Sequence, residues 1–145
     1  MISCFFVGHR DATDKIFPAL EKAVEYHITQ YGVTAFIVGH YGAFDRMAAR
    51  AVINAKESHP EITLSMLLPY HPAERPVYLP EGFDCSYYPP GMENVPRRFA
   101  ISRANRYIID HSHYLITYAP YPGGNARDLA AYADKRKIVV TMLSL

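Results

Sequence analysis

Cysteine is scarce: of 145 residues only Cys4, inside an apolar run, and Cys85, in a polar stretch, carry a thiol, and two such sites make no disulfide framework. An excess of one charge is also missing. Fifteen Lys and Arg face fourteen Asp and Glu for a net charge of +1, a poor match for a protein that coats long runs of nucleic-acid phosphate. No apolar stretch reaches the roughly 18 to 20 residues that cross a bilayer, and Met1 to Val7 has no basic leader of the secretory kind. A cytoplasmic protein without membrane contact is the expectation. What is present is 50% hydrophobic and 20% charged, enough to bury one core and too short for two, so one domain over 1–145 is expected. Disorder, collagen and coiled coil are excluded on the same grounds.

Apolar residues alternate between two periods along the chain. Ile2 to Val7 is a short apolar run closed by Gly8, and Asp14 to Tyr31 then places Ile16, Leu20, Ala23, Val24, His27, Ile28 and Tyr31 at helical spacing. Ala35 to Val38 is a second run closed by Gly39, followed by Phe44, Met47, Ala48, Ala51, Val52 and Ala55 on one helical face. Ile62 to Leu68 reads as a strand, Pro96 to His111 as a helix, Tyr114 to Tyr118 as a strand, Asn125 to Lys135 as a helix and Ile138 to Met142 as a last strand. Near-continuous apolar strands belong to a sheet covered on both faces, and right-handed crossovers then make it parallel. The pattern predicts an α/β, Rossmann-like, doubly wound parallel sheet of about five strands with helices on both faces.

Pro69 to Val95 breaks the rhythm, with Pro69, Pro72, Pro76, Pro80, Pro89 and Pro90 interleaved with Tyr70, Tyr78, Tyr87 and Tyr88. Such a stretch predicts no regular element. It reads as an excursion outside the layers, either a lid over a ligand or a surface insertion whose tyrosines cover the sheet edge.

In open parallel sheets, ligands bind beyond the carboxyl ends of the strands, where glycines admit close approach and helix N-termini present free N–H groups. The segments at those places are Gly8-His9-Arg10, Gly39-His40-Tyr41-Gly42, Pro69-Tyr70-His71 and Ala119 to Asn125, the last containing Gly123 and Gly124. None has the GxGxxG or Walker A spacing, which removes the standard dinucleotide and ATPase loops from consideration.

Taken together, CFFVGHR at 4–10, FIVGHYGAFDRMAARAV at 36–52, PRRFAISRANRYIIDHSHYLITY at 96–118 and the glycine pair followed by AYADKRKIVV resemble the YpsA/YoqJ-like branch of the SLOG superfamily. That superfamily comprises Rossmann-like proteins related to the LOG phosphoribohydrolases and to the DNA-processing protein DprA. The resemblance covers everything except the proline-rich loop. It implies a nucleotide or nucleotide-derived ligand, held by the matching positions Gly8, His9, Arg10, Gly39, Asp45, Asn105, Gly123 and Gly124, with His40, Tyr41, Gly42, Arg103 and Asn125 beside them. The pairing of LOG proteins through helices implies a homodimer. Two departures stand in the third segment, where Ala104 replaces an Arg and His113 an Asp, and Arg103 is placed to supply the missing charge. The LOG motif PGGxGTxxE is kept at Pro122, Gly123 and Gly124 but has Ala126, Arg127 and Ala130 for its Gly, Thr and Glu. The resemblance therefore carries phosphate binding but not the motif's catalytic carboxylate.

Each candidate has a plainer structural explanation beside it. Gly39 and Gly42 can serve helix packing alone, Asp45 can serve the helix dipole, and Arg10 can pair with Asp11 or Asp14. His9, His40 and His71 each follow a strand, but no thiolate or carboxylate stands at ligand spacing, so no metal and no resident cofactor is expected. Three functions remain in view: a binding domain for a nucleotide-like small molecule; an N-glycosidic hydrolase using His9, His40, Asp45 or Asp128; and a DprA-like single-strand binder using Arg97 to Arg106 with Tyr87 and Tyr88. Balanced charge weighs against the last, and the missing glutamate against the second.

Overall fold

The computed structural model describes residues 1–145. Six strands form one sheet: β1 (Ser3–Gly8), β2 (Ala35–Val38), β3 (Thr63–Leu67), β4 (Cys85–Tyr87), β5 (Tyr114–Tyr118) and β6 (Val139–Met142). Their spatial order is β4-β3-β2-β1-β5-β6 and every pairing is parallel. Four helices connect them: α1 (Phe17–Tyr31), α2 (Ala43–Ala55), α3 (Ala100–Asp110) and α4 (Asn125–Lys135). Single turns of 3-10 helix at Asp14–Ile16 and Arg97–Phe99 lead into α1 and α3. No helix is long and apolar enough to cross a membrane.

The period-two geometry of a strand sorts β1 between two cores. Cys4 and Phe6 face one side with Leu20 and Val24 of α1 and Phe44, Ala48 and Val52 of α2. Phe5 and Val7 face the other with Ala104 and Ile108 of α3 and Leu129 and Ala133 of α4. Both neighbours of a β1 side chain are therefore helices, which is why the strand reads as an unbroken apolar run. Helix α1 starts with a proline in its first turn and ends at Gly32, whose φ of 70° lets its amide reach the carbonyl of His27. His27 itself sits on the buried stripe. Its Nδ1 lies 2.6 Å from the carbonyl oxygen of Ala23, and burial holds its pKa below the usual histidine value.

The expected α/β parallel sheet of about five strands is present with six; what β4 corrects is the expectation that the whole 69–95 segment lies outside the layers. Ser65, Met66 and Leu67 of β3 pair with Cys85, Ser86 and Tyr87, adding a parallel edge strand from inside that segment. Asp84 anchors it: its amide donates to the Leu64 carbonyl at 2.8 Å, while its Oδ2 accepts from the Leu64 amide at 2.8 Å and from Lys56 Nζ at 2.6 Å. All three β4 residues are exposed, so no buried face marks the strand in the sequence. A second irregularity, a 3-10 turn at Met92–Asn94, buries Met92 in the α3/α4 core.

Candidate functional site

Strand order reverses at β1, because β2 to β4 extend to one side of it and β5 and β6 to the other. At that switch point the loops after β1 and β5 diverge and leave a crevice at the carboxyl edge. A cleft of about 400 Å³ occupies it, within the range of small-molecule sites.

The cleft brings together nine of the thirteen positions named for nucleotide binding: Gly8, His9, Arg10, Gly39, Tyr41, Asp45, Asn105, Gly124 and Asn125. The amide of His9 donates to the Tyr118 carbonyl at 3.0 Å, which locks the loop after β1 to the end of β5. His9 Nδ1 accepts the Asp11 amide at 3.2 Å, so in the neutral ring Nε2 carries the proton and is a donor. The Tyr121 ring meets that imidazole edge-on at 4.8 Å, joining the two loops across the cleft. Arg10 is exposed and makes no ion pair with Asp11 or Asp14, leaving its guanidinium available.

Three glycines are explained by close approach. A Cβ on Gly8 would lie 2.2 Å from the Phe44 ring, and one on Gly39 would lie 2.9 Å from Asp45 Oδ2. Gly42 has φ 114°, and a Cβ there would lie 2.7 Å from the Cα of Arg10; next to it, the Ala43 amide donates to the Arg10 carbonyl at 2.7 Å. The loop after β1 thus rests on the N-terminus of α2, and Gly42 serves that contact. Gly124 differs, since the nearest atom to a Cβ there is the Tyr121 carbonyl oxygen at 3.9 Å. Helix α4 begins at this open position with no side-chain cap, and Asn125, Ala126 and Arg127 of its first turn line the cleft. Their amides, which have no intrahelical acceptor, make up the free donor end of the helix.

Asp45 is the only carboxylate that lines the cleft. Its Oδ2 accepts the Tyr41 amide at 3.1 Å. Desolvation outweighs that hydrogen bond and the nearby Arg46, and its pKa is raised to about 7. At neutral pH this group is poised between acid and base, a property that its place in the first turn of α2 would not give by itself.

Four named positions lie elsewhere. His40 lines a second cavity instead, where burial outweighs a backbone contact with Leu67 and holds its pKa below the usual value. Arg103 is exposed on α3, Gly123 is exposed beside the cleft, and Gly42 packs as described. Asp128, the other acid considered for catalysis, is exposed and outside the cleft lining. Ala130, at the position of the LOG glutamate, is 4% exposed in the core. The three strand-end histidines do not converge: His71 Nδ1 accepts the Ala73 amide at 3.0 Å and its ring meets Tyr88, and no group of three His, Cys, Asp or Glu side chains is placed to hold a metal. Among the basic residues near α3, Arg97 pairs with Glu74, and Arg98 and Arg106 lie over the rings of Phe99 and Tyr132.

Sequence reading overlooked Arg127. Its Nη2 donates to the Ala119 carbonyl at 2.7 Å, which holds a second guanidinium in the cleft wall. The available signal was its place in the first turn of a helix, where the dipole opposes a cation and a cationic side chain needs another reason to be there.

Compared with protein-family models and with curated proteins, the chain matches none.

Proposed function

We propose that the chain binds a nucleotide or nucleotide-derived small molecule at the carboxyl edge of the sheet, its phosphate seated between the first turn of α4, Arg10 and His9. The observation that carries this reading is the uncapped α4 N-terminus opening at Gly124 into a cleft that also holds two guanidinium groups, Arg10 and Arg127. Free amides, a dipole's positive end and guanidinium forks are the donors a phosphate monoester takes. Asn105 and Asp45 stand where a ribose would follow, offering an amide and a carboxyl to its hydroxyls.

Thermal-shift and calorimetric titration against mononucleotides and ADP-ribose-like compounds tests the reading. Arg10→Ala removes one charge-assisted contact and should weaken binding by about 1.5 to 3 kcal/mol, one to two decades in affinity. Gly124→Leu fills the phosphate seat and should abolish binding, while its ordinary φ of −84° lets the fold stand. Unchanged affinity in both variants would show that the phosphate sits elsewhere. Gly39 is unsuitable for this test, because any side chain there strikes the Asp45 carboxyl.

A second reading is favoured by Asp45 alone. A carboxyl with its pKa near 7, beside the ribose position, suits an N-glycosidic hydrolase in which it supplies a proton to the departing base or charge to the forming oxocarbenium ion. Chromatography for free base after incubation with nucleotides decides it. Robust release lost in Asp45→Asn would establish turnover, and binding without release would leave the binding reading alone.

A further inference from the structure

Beside the first cleft lies a second cavity of about 390 Å³, with Tyr41 and Pro69 in the walls of both. The rings of Tyr41, Tyr70 and Tyr78 surround it, and Tyr78 is 84% exposed at its rim. Arg75 is the one cation that lines it, and its guanidinium carbon lies 4.1 Å from the centroid of the Tyr70 ring. No carboxylate claims that guanidinium: Glu74, its neighbour in the chain, is paired with Arg97, and no Asp or Glu lines the cavity. The phenol of Tyr41, with its pKa raised by burial and by Tyr70 against the pull of Arg75, places these groups within electrostatic reach of one another.

Aromatic faces and a guanidinium laid over one of them recognise a flat ring by stacking and by hydrogen bonds to its edge. The edge is specified by what Arg75 can do: five N–H donors and no acceptor. A 6-oxopurine presents N7 and O6, two acceptors side by side, whereas a 6-aminopurine presents N7 beside an amine donor. Only the first matches a guanidinium fork on both atoms.

On the reading that the first cleft holds phosphate and ribose, we propose that this second cavity holds the base and selects a 6-oxopurine, with Arg75 donating to O6 and N7. The shared wall at Tyr41 and Pro69 is the passage from sugar to base. The site draws Arg75, Tyr70 and Tyr78 from the proline-rich segment, giving that segment a recognition role in addition to its edge strand.

Isothermal titration of the full chain with IMP, GMP, AMP and ribose 5-phosphate tests this. IMP and GMP should bind about ten- to a hundredfold more tightly than AMP, the range of one bidentate contact. Arg75→Ala, an exposed position that leaves the fold intact, should bring the three nucleotides within about threefold of one another and leave ribose 5-phosphate unaffected. Equal binding of IMP and AMP by the parent chain, or a preference that survives Arg75→Ala, overturns the proposal while ribose 5-phosphate binding keeps the first cleft's reading. If neither ribose 5-phosphate nor any nucleotide binds, the reading of the first cleft falls and takes this proposal with it.

Discussion

Asp45→Asn isolates the burial of one carboxyl at the cleft. The carboxyl titrates at 3.8 in an ordinary setting and at about 7 in the folded chain, so between those values the native state holds a proton that the unfolded state has released. Stability from this group is complete below pH 3.8 and is lost as pH rises through 7, at up to 1.4 kcal/mol per pH unit. The ceiling over the whole window is about 4 kcal/mol, and partial solvent access at the cleft mouth reduces it to about 2 to 4. Asparagine keeps an acceptor for the Tyr41 amide but cannot ionise. Urea unfolding at pH 5, 6, 7 and 8 should therefore show the variant gaining on the parent by about 1 to 2 kcal/mol from pH 5 to pH 7, then levelling off by pH 8. A difference that is constant with pH, or an advantage of the parent that grows toward pH 8, would refute the burial argument.

The glycines separate packing from binding by stability alone. Gly8→Ala and Gly42→Ala place a methyl 2.2 Å from the Phe44 ring and 2.7 Å from the Arg10 backbone, and each should lower stability by about 1 to 3 kcal/mol in urea unfolding. Gly124→Ala, which meets nothing nearer than 3.9 Å, should stay within about 0.5 kcal/mol of the parent. Thiol labelling of the native chain should proceed at one site only, the exposed Cys85, because Cys4 is fully buried and desolvation holds its thiol far above the ordinary range; two fast equivalents per chain would contradict the core.

The strand and helix alternation was legible because β1, β2, β3 and β5 are covered on both faces and therefore leave unbroken apolar runs. Strand β4 was not, since Cys85–Tyr87 is exposed throughout and held by Asp84 and by backbone pairing, neither of which leaves a hydrophobic pattern. In the site, the strand-end rule led to Gly8, His9, Arg10 and Gly39, and the family resemblance to Asp45. It could not say that His40 would turn to the second cavity while Tyr41 served both, because one residue of rotation after a strand decides the side and no periodicity records it. Nor could spacing separate glycines that admit a phenylalanine ring or a crossing backbone from one that leaves room for a ligand. Gly8 and Gly42 are the first kind, Gly124 the second.

Phosphate seated on the first turn of α4, as proposed, would be reported directly by the amide chemical shifts of that turn. Titrating 15N-labelled protein with a purine nucleoside 5′-monophosphate should move the amide signals of Asn125, Ala126 and Arg127 most, together with His9 and Arg10, as free donors acquire an acceptor. Largest shifts on the outer faces of α1 and α2 or along β6, with the α4 amides unmoved at saturation, would contradict it.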